Sequence, residues 1–274
     1  MTQENTSLPP KKNHPFVDEL VEQDQQKPAI GIYILPNLFT TAALFGGFYA
    51  IIASIRGLFE IAAIVIFIAM ILDSLDGRIA RLTNTQSAFG AEYDSLSDMV
   101  AFAVAPSVLV YEWSLQYLGK IGWVGAFIFV ASVALRLARF NSQQENQDKR
   151  YFTGLPCPAG AGVIASLVWV GASLRAGDLL PSILIGLLTI GVGIAMISNM
   201  KYRSFKDFDL KNRVPFVNIL FVILVFVCLA LKPDIVLFIV FFGYAISGFY
   251  TWIKERFSKS EDTPNQEPPS DINS

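Results

Sequence analysis

Four aspartates carry the chemistry open to this chain. Asp73 and Asp76 stand three residues apart and Asp94 and Asp98 four apart, within the stretch DSLDGRIARLTNTQSAFGAEYDSLSD. On helices each spacing puts its pair on one face, one turn apart. The polar run Thr83-Asn84-Thr85-Gln86-Ser87 breaks the hydrophobicity and predicts a turn, so the two arms are expected to run antiparallel as a hairpin. Asp73 and Asp94 are nearly equidistant from the middle of that turn, as are Gly77 and Gly90, which at ~1.5 Å rise per residue sets each pair at similar depth. Carboxylates should face carboxylates. Facing glycines should leave a slot where a flat polar group lies against main chain.

Four carboxylates cannot stay ionised in a bilayer without counter-charge, since one charged residue at mid-helix already costs about 3 kcal/mol to insert. Oxygen-only ligands select hard divalent cations, Mg2+ or Mn2+ with Ca2+ also admissible, and four negative charges match two such ions. Paired ions ~4 Å apart serve in-line displacement at phosphorus. Asp73 and Asp94 are suited to bridge them, with Asp76 completing one site. Arg81, one turn beyond Gly77 and two beyond Asp73, is placed to meet a phosphate. The only histidine, His14, lies in a polar leader, so proton transfer must rest on carboxylates. Asp98, one turn deeper than Asp94, is the candidate base. The bland alternative, helix-packing acids or half of an ion pathway, does not account for so many fixed positions at once.

The pattern DxxDGxxAR, eight residues, then GxxxDxxxD resembles that of the CDP-alcohol phosphotransferase family, with Asp73, Asp76, Gly77, Ala80, Arg81, Gly90, Asp94 and Asp98 filling every position. The resemblance implies an integral membrane enzyme that moves a phosphatidyl or related group from a CDP-linked donor to an alcohol and releases CMP. It also implies that the first three acids hold two metal ions, while the fourth touches the second metal and acts as base. Gly77, Ala80, Arg81 and Gly90 would hold the CDP moiety. Asn37 and Thr40, in Leu35-Pro36-Asn37-Leu38-Phe39-Thr40, share a helix face, and the family resemblance assigns them, with Ser87, to the nucleotide site. Read alone, these are helix-capping and turn residues.

Composition sets the stage for that chemistry. The chain is 53% hydrophobic and 16% charged, with a mean hydropathy of +0.47, as expected of a polytopic membrane protein. Cys157 and Cys228 lie in separate apolar contexts without paired spacing, which gives no support to a disulfide framework or zinc site and reads as packing. Residues 1–27 form a polar cytoplasmic leader without signal-peptide character, in which Phe16 to Val21 could make a short interfacial helix. Apolar stretches of spanning length follow at about 30–55, 58–82, 92–118, 121–141, 158–176, 179–199, 213–231 and 234–253. The expected architecture is all-α with about eight transmembrane helices. A six-helix core covers 28–200, a further helix pair 201–257, and a disordered acidic, Pro-rich tail 258–274. Of 21 Lys and Arg, 17 fall on the side of the termini, which places both termini and the hairpin turn in the cytoplasm of a bacterial-type inner or plasma membrane.

A second segment bears on the acceptor. The fourth span ends in Leu135-Arg136-Leu137-Ala138-Arg139-Phe140-Asn141, with both arginines on one face at the cytoplasmic boundary. After a polar loop, Phe152-Thr153-Gly154-Leu155-Pro156-Cys157-Pro158-Ala159 fixes a kinked re-entry. LRLARFN followed by FTGLPxPA resembles the phosphatidylserine synthase branch of the family, which points to CDP-diacylglycerol and L-serine as substrates. The serine pocket is then expected at Arg136, Arg139, Gly154 and Pro156, a guanidinium being matched to a carboxylate in two-point geometry. Charge alone leaves open a phosphate-bearing acceptor such as glycerol 3-phosphate or inositol phosphate. A homodimer among membrane lipids is also implied, and no nucleic-acid partner. Aromatic prenyltransferases carry two acidic motifs in separate halves, and cation transporters carry acids along a path or internal repeats; neither pattern is present.

Overall fold

A computed structural model of the chain describes residues 30–142, 151–174, 182–203 and 216–261. The leader with its expected interfacial helix and the tail beyond residue 261 lie outside the described residues. Among the described residues the chain runs as α1 (Ile30–Ile55), α2 (Phe59–Leu82), α3 (Ala88–Asp98), a π-helical segment (Met99–Val104), α4 (Ala105–Trp113), a 3-10 turn (Leu115–Leu118) and α5 (Lys120–Ser142). It continues as β1 (Tyr151–Thr153), α6 (Cys157–Ser173), α7 (Ser182–Ile197), β2 (Lys201–Arg203), α8 (Phe216–Leu231) and α9 (Pro233–Glu261). α3, the π segment and α4 join into one span, Ala88–Trp113.

Among the described residues, four stretches are long and apolar enough to cross a membrane: Leu35–Ile55, Ala88–Trp113, Lys120–Ser142 and Pro233–Thr251. Cys157–Ser173 and Ser182–Ile197 are shorter apolar helices. α2 matches them in length, but its second half carries Asp73, Asp76, Arg78 and Arg81. This is the architecture of an integral, multi-pass membrane protein.

α6 is the hub. From Ala159 to Val168 every residue is buried, and small side chains let neighbours approach on all sides. α2, α4 and α9 pack on it, while α5 packs against α7 and α8 touches α9. A Cβ on Gly162 would strike the Phe241 ring of α9, and one on Gly171 the Trp113 ring of α4. α1 lies along α2 and also contacts α3 and the π segment. α2 presents Ala62, Ile66 and Ala69 on one buried stripe, and Asp73 and Asp76 continue it by one and two turns. Helical spacing therefore aims the acids inward.

The π segment follows directly on Asp98 and ends just before Pro106. Proline has no N–H, and in an α-helix its ring would press on the carbonyl four residues back. Widening the turn relieves that contact, and Ala105 N–H bonds Val100 O instead.

The all-α architecture carries one short β ribbon that the sequence reading did not expect. β1 and β2 pair antiparallel, Tyr151 with Arg203, Phe152 with Tyr202 and Thr153 with Lys201. Each strand is only three residues long, too short for a period-two pattern to show in sequence. The ribbon ties the start of α6 to the end of α7: Gly154 N–H donates to Met200 O at 2.8 Å and Leu155 N–H to Ala195 O at 3.1 Å. Gly154 has φ +80°, and a Cβ there would lie 2.2 Å from Met196 O, so only glycine fits. Tyr202 is buried under α9, its ring against Gly248 and its hydroxyl donating to Ala245 O at 3.2 Å. Burial pushes its phenol up to about 12. The third helix starts at Ala88, capped by Ser87, four residues before the apolar stretch begins, and α9 runs on to Glu261.

The close approach of α1 to the π segment is testable. A Cβ on Gly47 would lie 2.6 Å from Ala101 Cα, a backbone atom that cannot swing away. Gly47→Ala should therefore cost roughly 1–3 kcal/mol, read as a lower melting temperature in detergent. Gly191→Ala, which would meet nothing within 4 Å, should leave it unlowered.

Candidate active site

α2 ends at Leu82 and α3 begins at Ala88, so the turn falls on residues 83–87, where the sequence placed it. Thr83 N–H and hydroxyl both bond Ile79 O, Asn84 takes the left-handed conformation at φ +52°, and Ser87 Oγ accepts from Gly90 N–H at 3.0 Å. These are the stop, turn and start devices of a helical hairpin. The two arms are not packed backbone to backbone, however. α1 bears on both, and the arms stand apart around a cleft.

One residue of α1 joins the three elements. Thr40, buried, donates from Oγ1 to Asp76 Oδ2 at 2.7 Å, while its backbone oxygen accepts from Ser97 Oγ on α3 at 3.1 Å. The next residue, Thr41, shares a 2.9 Å hydrogen bond with Tyr93 OH, again on α3, and Tyr93 stacks on Phe89. α1 is thus pinned between the arms beside the acids.

The cleft so formed holds about 330 Å³. Asn37, Thr40, Gly77, Ala80, Arg81, Ser87 and Gly90 all line it, and Asp76 and Asp94 line it too. Every position expected to contact a nucleotide thus borders one space. A Cβ on Gly77 would meet nothing within 4 Å, so the glycine opens the cleft, whereas one on Gly90 would meet Ser87 Oγ at 3.1 Å and Asn37 Oδ1 at 3.5 Å. Pro36, Thr85, Gln86 and Ala91 also line it and were not singled out from sequence. Pro36 lies one turn before Thr40, a spacing that could have flagged it.

Asp73, Asp76 and Asp94 each present a carboxylate oxygen within 4.8 Å of the others. Asp98 is not in this tight group but stands within reach of Asp73. Among the described residues, Asp94 Oδ1 and Asp98 Oδ1 are buried without a hydrogen-bond partner. Buried carboxylates held this close, with lone pairs unclaimed, need a cation, and an all-oxygen donor set fits a hard divalent ion. The cluster is a candidate metal site.

The expected acceptor residues are divided by the structure. Arg136 turns inward, Nη1 donating to Cys157 Sγ at 3.0 Å, with its Nε buried and unpartnered. Arg139 directs Nη1 to the end of α7, at Ile197 O (3.1 Å) and Asn199 Oδ1 (3.2 Å). The two arginines share no partner. Gly154 is buried against the carbonyls of Met196 and Ser198 and shapes the segment, while Pro156 is the residue from which α6 starts. Asn141, two residues beyond Arg139, donates to Ser95 Oγ at 3.0 Å and so links α5 to the acid-bearing arm.

Comparison with known proteins bears on this arrangement. The family described as CDP-alcohol phosphatidyltransferase matches residues 33–197. The chain is 36% identical over 228 residues to a CDP-diacylglycerol–serine O-phosphatidyltransferase of Helicobacter pylori, covering 82% of this chain and 94% of that one. It is 38% identical over 192 residues to a protein of the same name from Methanocaldococcus jannaschii, covering 69% and 83%. An archaetidylserine synthase of Methanothermobacter thermautotrophicus is 34% identical over 172 residues, covering 61% and 69%. With the acid cluster and the cleft spanned by that match, the chain belongs to the CDP-alcohol phosphatidyltransferase family.

Proposed function

We propose that this protein transfers the phosphatidyl group of CDP-diacylglycerol to the hydroxyl of L-serine, giving phosphatidylserine and CMP. The observation that carries the reading is one cleft lined by all seven residues expected to bind the nucleotide together with Asp76 and Asp94. The acceptor follows from relatives that carry the serine transferase name over most of both chains.

Asp73, Asp76, Asp94 and Asp98 would hold two divalent ions, Mg2+ or Mn2+, which when bound neutralise the diphosphate and stabilise charge during in-line displacement at phosphorus. Asn37, Thr40, Gly77, Ala80, Arg81, Ser87 and Gly90 hold the CDP moiety, Arg81 as the cation for its phosphates. Arg136 meets the serine carboxylate. The serine oxygen forms the new bond to the lipid-side phosphorus as the bond to CMP breaks, and Asp98 takes the hydroxyl proton. No covalent enzyme intermediate is involved.

In this reading the chain crosses the membrane eight times, α3 and α4 forming one span, residues 28–200 form the transferase core, and 201–257 add a helix pair. The cleft mouth and both termini face the cytoplasm, where the soluble nucleotide is met while the acyl chains stay in lipid. The protein acts as a homodimer, as the family resemblance implies.

Purified protein given CDP-diacylglycerol and a panel of serine, glycerol 3-phosphate and inositol phosphate should yield phosphatidylserine by mass, with CMP release stopped by EDTA. A different lipid product would reassign the acceptor, and no CMP release would reject the family chemistry. Asp98→Asn should keep the KM for CDP-diacylglycerol and lower kcat by about 10²–10⁴; equal loss of both makes Asp98 chiefly a ligand. Gly77→Leu should fold normally, its Cβ meeting nothing, yet raise the KM for CDP-diacylglycerol by filling the cleft. An unchanged KM would place the nucleotide elsewhere.

A further inference from the structure

Cys157 reads from sequence as a packing residue, and its place in the fold gives it more to do. It is the first residue of α6, fully buried, and its sulfur is the acceptor for Arg136 Nη1 at 3.0 Å. The same thiol stands within electrostatic reach of Asp98. Among the described residues, no carboxylate pairs with Arg136, and its Nε is buried with no partner. A buried guanidinium N–H left unpaired is expensive and rare in a folded protein.

Sulfur is a weak acceptor. A carboxylate in its place would neutralise the guanidinium, and an apolar group would leave the fork free to turn toward Asp98. The thiol does neither: it fixes one edge of the fork without cancelling its charge and leaves the Nε edge open. Among the described residues Asp98, within electrostatic reach of the same thiol, also has its Oδ1 buried and unclaimed. A small molecule carrying a carboxylate and a hydroxyl could meet both orphaned groups at once.

We propose that Cys157 is a positioning residue for the acceptor: its thiol sets the Arg136 fork so that the Nε edge receives the acceptor's carboxylate while the acceptor's hydroxyl lies toward Asp98. This rests on the serine reading above and assigns the device that makes Arg136 selective for an amino-acid alcohol. Kinked entry into α6 is what delivers the sulfur to this point. Gly154 turns the chain at φ +80° and Pro156 starts the helix, so the first side chain of α6 faces α5 rather than solvent.

The test is a set of variants assayed with L-serine and with ethanolamine, which lacks the carboxylate. Cys157→Val stays apolar, adds about one methyl group and removes the acceptor. It should raise the KM for serine about tenfold, leave the KM for CDP-diacylglycerol unchanged, and reduce the preference for serine over ethanolamine. Cys157→Ser, which restores an acceptor, should bring the serine KM back to within about threefold. In an Arg136→Lys background, Cys157→Val should add little, because the two act through one contact. A serine KM unmoved in Cys157→Val overturns the proposal, as does a uniform loss in all parameters with a lowered melting temperature in both Cys157 variants. Should Cys157→Val not fold, Cys157→Ala, which also removes the acceptor, decides by its serine KM in the parent and Arg136→Lys backgrounds, where additive effects count against the coupling. If the parent enzyme makes no lipid from serine, the functional reading itself falls, which is a separate outcome.

Discussion

Everything near the active site depends on the problem of burying negative charge. Four carboxylates lie within a few residues' reach of one another in a protein whose surroundings are hydrocarbon, and mutual repulsion adds to the cost of removing each from water. The surrounding structure supplies little counter-charge, since among the described residues no lysine or arginine pairs with them. Thr40 satisfies one oxygen of Asp76, and Asp94 and Asp98 keep lone pairs without partners. Such a cluster is suited to a cation, so the fold and the candidate metal site are two aspects of one electrostatic arrangement.

That arrangement explains the role of α1, which contributes none of the acids. With the hairpin arms held apart to make room for a ligand, something else must fix their separation. α1 does so through Thr40 and Thr41, contacting Asp76 on α2 and Ser97 and Tyr93 on α3. Gly47 lets the same helix press against the π segment, immediately after Asp98. The wide turn forced by Pro106 thus lies where α1, α3 and α4 meet, and it sets how the last aspartate is presented.

The second half of the chain fixes the surroundings of Arg136 by a different means. α6 is buried all round and its start is held by a two-stranded ribbon and by Gly154 against the end of α7. α5 then brings Arg136 against that fixed point and Arg139 against α7. α9, beyond the family match at residues 33–197, closes over Tyr202 and Gly162. Its contribution at this end of the protein is to stiffen the ribbon that positions the start of α6.

The sequence by itself determined the membrane class, the hairpin and its turn at 83–87, and the grouping of the acids. It also picked out the seven residues found to border the cleft. These are readable because they depend on hydropathy and on helical spacing, which are local properties. Separation of the hairpin arms by α1, the three-residue ribbon, the divergence of Arg136 from Arg139 and the pairing of Arg136 with Cys157 were decided only in the tertiary structure. Cys157 looked like packing because nothing around it in the chain is polar; its partner lies 21 residues away on another helix. Contacts between distant segments depend on where whole helices come to rest, and that is set by packing against neighbours rather than by any pattern within one helix.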